Sequence, residues 1–113
     1  MKRIDAWIEP SQLATVTAAL RKAGVAGGTA TGVHRLQGHV VATLHYRGVP
    51  LAIRSVPEMK LEMVVHDDIV PRVISALLAT TKNTDPGDWE VLVVQVDFAI
   101  RISSGEISEA AIA

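Results

Sequence analysis

Two short apolar runs, Ile4 to Ile8 and Leu61 to Val65, lie 57 positions apart in the sequence, and each ends in residues that start helices. The first is followed by Glu9-Pro10-Ser11 and the second by His66-Asp67-Asp68. Asp and Ser side chains accept hydrogen bonds from the unpaired N–H groups of a first turn, and proline suits that turn. A helical stripe comes next in both cases: Leu13, Val16, Ala19 and Leu20, then Val70, Val73, Ala76 and Leu77. The spacing i, i+3, i+6, i+7 puts each set of four on one helix face. The first helix is expected to stop near Ala23-Gly24, where glycine takes a left-handed conformation, and the second to fade at Thr80-Thr81-Lys82.

Strands follow both helices. Thr29 to Arg35, rich in Thr and Val, reads as one, and the β-branched run Val91 to Val94 as another. The second is expected to continue as an alternation, with Val96, Phe98, Ile100 and Ile102 inward and Gln95, Asp97 and Arg101 outward. Two βαβ units of this size predict an α+β fold, a ferredoxin-like split βαβ sandwich with an antiparallel sheet and both helices on one face. The other face then lacks cover, and oligomerisation is the natural way to bury it. Between the halves, residues 36–58 belong to neither repeat. A connection this long inside a small domain is a functional loop, either a protruding hairpin or a mobile arm.

Composition narrows the functional classes. A chain of 113 residues makes one domain, 1–113. Its mean hydropathy of +0.29 is high for that size and adds to the expectation of a subunit interface. Cysteine is absent, which removes disulfides and thiol chemistry. A net charge of −1 gives no basic face for nucleic acid. The N-terminal residues lack the apolar core of a signal peptide, and no apolar run reaches the ~20 residues that span a bilayer, so a cytoplasmic protein is expected. No nucleophile–base–acid constellation can be read, and the fold alone implies no chemistry, so an enzyme is not expected.

Several strings now stand in a fixed order along the whole chain: Lys2-Arg3-Ile4-Asp5-Ala6, Tyr46-Arg47-Gly48, Glu62 with Val64-Val65, Asp67-Asp68-Ile69-Val70, Arg101-Ile102 with Gly105-Glu106, and Ala110-Ala111-Ile112. In these the sequence resembles the PII nitrogen-regulatory proteins. The resemblance implies a homotrimer whose long loop, the T-loop of residues 36–58, docks on a protein target, with membranes engaged only through a transporter partner. It also implies ligand clefts between subunits for ATP or ADP, often with 2-oxoglutarate and magnesium. The matching ligand positions are Thr29, Glu62, Val64, Gly87, Asp88 and Arg101, and the partner-binding positions are Tyr46, Arg47, Gly48 and Leu51.

Departures from the family pattern are concentrated where anions would bind. The family's Gly-Lys-x-Gly-Asp-Gly-Lys run reads here Thr84-Asp85-Pro86-Gly87-Asp88-Trp89-Glu90, so both lysines have become acids. Each exchange turns attraction to phosphate into repulsion, roughly a few kcal/mol at ~4 Å. Ser103 stands for a second arginine after Arg101, Gly38 for the arginine of the early T-loop, Glu58 for a lysine that pairs with the 2-oxoglutarate carboxylate, and His39 for a glutamine. Leu51 stands where some members carry a uridylylated tyrosine, so that modification has no acceptor. ATP with 2-oxoglutarate is therefore not expected to bind in the family's manner. ADP or AMP, which need fewer cations, fit the retained Arg101 better. His39 and His45 are candidate metal ligands, because imidazole suits zinc, copper or nickel, although their spacing matches no recognised site. The first functional expectation is thus a PII-like regulator that docks through its T-loop. The alternative is a sensor of ADP or AMP, bicarbonate or a divalent metal ion on the same fold.

Overall fold

A computed structural model describes residues 1–46, 49–81 and 90–112, with the side chains of 37–46, 49–54 and 81 outside the description. The apolar runs form strands β1 (Lys2–Ile8), β2 (Thr29–Tyr46), β3 (Val49–Val65) and β4 (Val91–Gln95), with helices α1 (Leu13–Lys22) and α2 (Val70–Thr81) between them. The sheet order is β2-β3-β1-β4, and β1 pairs antiparallel with both β3 and β4. Each βαβ unit is therefore split by a strand of the other, which is the ferredoxin-like sandwich.

Side-chain alternation sorts the sheet into two faces. Ile4, Ala6 and Ile8 of β1, with Leu61, Met63 and Val65 of β3, point to the helices and meet Val16, Leu20, Val73 and Leu77. Fully burying each Ile, Leu, Val or Met side chain of this set contributes about 1.5–3 kcal/mol. The helical stripes are placed as expected: two of four residues in each are buried, and Leu13, Val70 and Ala76 pack against the same core. The opposite face carries Arg3, Asp5 and Trp7 beside Lys60, Glu62 and Val64. Asp5 is almost fully buried there and accepts from Arg3 Nε at 3.0 and 3.3 Å.

Three local expectations are corrected. First, neither helix start is capped by a side chain. The chain enters α1 through a 3-10 turn at Pro10–Gln12 and α2 through one at Asp67–Ile69, which orients the first N–H groups without a cap. Asp67 is instead engaged by the Met1 ammonium at 2.8 Å. Second, β2 does not stop at Arg35. Its ladder with β3 runs to Tyr46 opposite Val49, with a register shift between Gln37 and Ala42. The connection is thus a long hairpin paired on both sides of that shift, the first of the two forms expected. Third, the alternation after Val94 does not make an inward strand face. β4 ends at Gln95, and Phe98, Ile100 and Ile102 are exposed, Ile102 almost completely. Only Ile100 forms a bridge, to Ile107 in a return turn that Gly105 closes with φ +73°. At these positions the period of two records apolar side chains without a neighbouring strand to bury them.

Candidate functional site

Two glycines place the first cluster of candidate residues. Gly24 takes φ +104° at the end of α1, as the sequence predicts, and turns the chain back toward the sheet. Gly28 then passes so close to β3 that a Cβ there would sit 2.6 Å from the carbonyl oxygen of Glu62. This approach delivers Thr29 into β2 directly opposite Glu62. The result is a cleft of about 260 Å³, lined among others by Thr17 and Arg21 of α1, Gly27, Thr29, Glu62 and Met63. On the helix side of the sheet it offers the Arg21 guanidinium, the Thr17 hydroxyl and apolar walls, while the side chains of Thr29 and Glu62 turn to the other face; its size is near the lower end for small-molecule pockets.

Around that cleft the remaining positions divide. Val64 shares the face of Glu62 but pairs with Arg3 and does not line the cleft. Glu62 forms an ion pair with Lys60 at 3.3 Å, and the Lys60 ammonium lies 5.3 Å from the centre of the Trp7 ring. Arg101 lies beyond β4, outside the cleft lining, with Nε 3.9 Å from a Glu106 carboxylate oxygen. Gly87, Asp88, Arg47 and Gly48, and the side chains of Tyr46, Leu51, His39 and His45, fall outside the described residues. Among the described residues no group of three or more His, Cys, Asp or Glu side chains could hold a metal ion. No helix among them is long and apolar enough to cross a membrane.

A second cluster forms where β1 ends. Ile8 pairs with Met59, so the β3 residues before Met59 have no β1 partner. Glu58, largely buried, projects into that space from the face away from the helices, the face it shares with its β2 partner Val33 and hence with Arg35. Arg35 donates from Nε to Glu58 Oε1 at 2.5 Å and from Nη1 to Glu90 Oε1 at 3.0 Å. Glu90 is held in place through its backbone, its carbonyl accepting from Trp7 N–H at 3.3 Å. The hydrogen bond to Glu58 chiefly, with that to Glu90 adding to it, raises the Arg35 pKa above its ordinary value against the opposing effect of burial. The guanidinium is therefore fixed as a cation between two anions.

This cluster was not legible from residue types alone. Glu58 and Glu90 read as sources of repulsion toward an anionic ligand, and Arg35 as the last residue of a strand. The available signal was the hairpin register. Once Val33 is set opposite Glu58, Arg35 is the diagonal neighbour two residues on, within reach of a long side chain. The three side chains sum to one net negative charge, and the two carboxylates stand at the positions matching lysines of the family resemblance.

Comparison with known proteins is consistent over the whole chain. Residues 1–106 match the family model of the nitrogen regulatory protein P-II. The nitrogen regulatory protein P-II of Haemophilus influenzae and the nitrogen regulatory protein P-II 1 of Escherichia coli K12 are each 39% identical to it over 115 residues, covering 99% of this chain and 100% of theirs. The nitrogen regulatory protein P-II of Klebsiella oxytoca is similar to the same extent. Sheet order, hairpin and full-length identity agree, and the chain belongs to the nitrogen regulatory protein P-II family, whose members are signal-transduction regulators rather than enzymes.

Proposed function

We propose that this chain is a single-domain, homotrimeric regulator of the cytoplasm that docks on a partner protein through its 36–58 hairpin, with ATP and 2-oxoglutarate binding in the family's manner weakened or lost. The observation that carries the weakened binding is the Arg35–Glu58–Glu90 cluster, where two carboxylates stand in place of cations and the nearby cation is already paired with both. A polyanion entering there meets net negative charge in a partly buried setting, where screening is weak. Support for the trimer comes from the uncovered apolar surface of β4 and the segment after it: Leu92, Val94, Phe98 and Ile100 are each more than one-third exposed on a 113-residue chain. Patches of this kind mark association surfaces. The partner, a transporter, enzyme or transcription regulator, would be engaged by the hairpin as an element carried on a rigid scaffold.

A second reading is favoured by the cleft beside Gly28, which offers the Arg21 guanidinium, the Thr17 hydroxyl and apolar walls. It would suit a ligand with a flat apolar part and fewer negative charges than a triphosphate, so ADP or AMP would bind in preference to ATP. Light scattering on the purified chain tests the trimer: a mass three times that of the 12.1 kDa chain is expected, and a monomer contradicts it. Titration calorimetry with ATP, ADP, AMP, bicarbonate and divalent metal ions separates the two readings. Heat from ADP or AMP supports the sensor, and heat from none of them leaves the docking regulator.

A further inference from the structure

β2 and the segment leading into β4 are separated in the sheet by β3 and β1, yet one side chain touches acidic groups from both sides of the gap. The gap exists because β1 is short: its last pair is Ile8 with Met59, while the β2/β3 ladder continues outward into the hairpin. Beyond Met59, β3 therefore has a hydrogen-bonded neighbour on one side only, and the hairpin stem would otherwise be free to bend relative to the body. We infer that Arg35 is a latch that fixes the hairpin stem to the body of the sheet without any ligand, using Glu58 as its inner anchor and Glu90 as its outer, releasable one.

The two arms differ in a way that fits this division. The Arg35 side chain is 18% exposed, that of Glu58 10% and that of Glu90 52%. The Arg35–Glu58 pair connects adjacent strands and belongs to the stem itself. Among the ion pairs of the described residues, the Arg35–Glu90 pair is the one that connects the stem to the body, and Glu90 is tied to β1 through the Trp7 amide. An arm that is half-exposed is screened by salt and open to competition from a partner's charged groups, while the buried arm keeps the guanidinium aimed. The hairpin's freedom is thus set by a contact within the chain. The inference does not depend on the trimer or on any nucleotide.

Amide hydrogen exchange on the full chain tests it. Glu90→Gln removes the charge of the outer arm, leaving at most a weaker neutral hydrogen bond, at a half-exposed position where the fold is kept. Exchange at the stem amides of Ser55, Val56, Glu58 and Met59 is expected to rise about tenfold, with α1 amides changed less than about twofold. Arg35→Met is expected to raise it at least as much, and adding Glu90→Gln to Arg35→Met to raise it no further, because both remove the same contact. Unchanged stem exchange in Glu90→Gln, or fully additive effects of the two substitutions, overturns the latch.

Discussion

The Nη1 of Arg35 lies 3.0 Å from Oε1 of Glu90, although two strands stand between β2 and β4 in the sheet. The contact closes the notch left where β1 ends, and Glu58 holds the same guanidinium from within β3. Two of its three members, Glu58 and Glu90, stand where the family resemblance puts cations.

The two arms of this cluster should differ in their effect on stability. Arg35→Met leaves the Glu58 carboxylate largely buried without its cation, a loss of about 1–3 kcal/mol. Glu90→Gln removes a half-exposed ion pair and should cost less than about 1 kcal/mol. Urea unfolding of both variants checks the order. Equal losses would mean that the burial of Glu58 has no energetic weight.

Gly28 and Gly27 are adjacent, but only one is required by the structure. Gly28→Ala drives a Cβ to 2.6 Å from the Glu62 carbonyl, a backbone atom that cannot swing aside. The overpacking should cost about 1–3 kcal/mol and deform the Thr29–Glu62 cleft. Gly27→Ala meets nothing within 4 Å and should stay within about 0.5 kcal/mol of the parent. Thermal unfolding of the pair is the check.

On α2, Leu77 and Leu78 give a similar contrast. Leu77 is 2% exposed and Leu78 62%. Leu77→Ala should lose about 2–5 kcal/mol through the cavity it leaves. Leu78→Ala should be close to neutral by the same urea measurement.

Restoring positive charge should restore anion binding. Glu90→Lys both frees the outer face of Arg35 and replaces a carboxylate by an ammonium, a change of two charge units beside the notch. ATP affinity measured by calorimetry is expected to rise at least about tenfold over the parent chain, equivalent to about 1.4 kcal/mol. No gain would mean that the acidic residue at this position is not what weakens binding.

Much of the fold could be read from the chain because both halves use the same devices. The stripes Leu13–Val16–Ala19–Leu20 and Val70–Val73–Ala76–Leu77 each need a sheet to cover them, and the strands before each helix supply it. Gly24 marked the end of α1 and does take the left-handed conformation. Reading failed where the cause was non-local. Phe98, Ile100 and Ile102 alternate as a strand does, but whether an alternating segment is buried depends on a neighbour that the sequence does not identify. Ser11 and Asp67 have capping chemistry, yet a 3-10 turn precedes each helix and orients the first N–H groups without them. The candidate cleft was half legible: Thr29 and Glu62 meet in register, but the role of Gly28 depends on a distance and not on a motif. The pairing of Arg35 with both glutamates required the hairpin register, which residue types alone do not set.

The most direct test is a calorimetric titration of the parent chain with MgATP in the presence and absence of 2-oxoglutarate. A charge-inverted site predicts weak ATP binding that 2-oxoglutarate does not strengthen. Tight ATP binding that 2-oxoglutarate strengthens would contradict it.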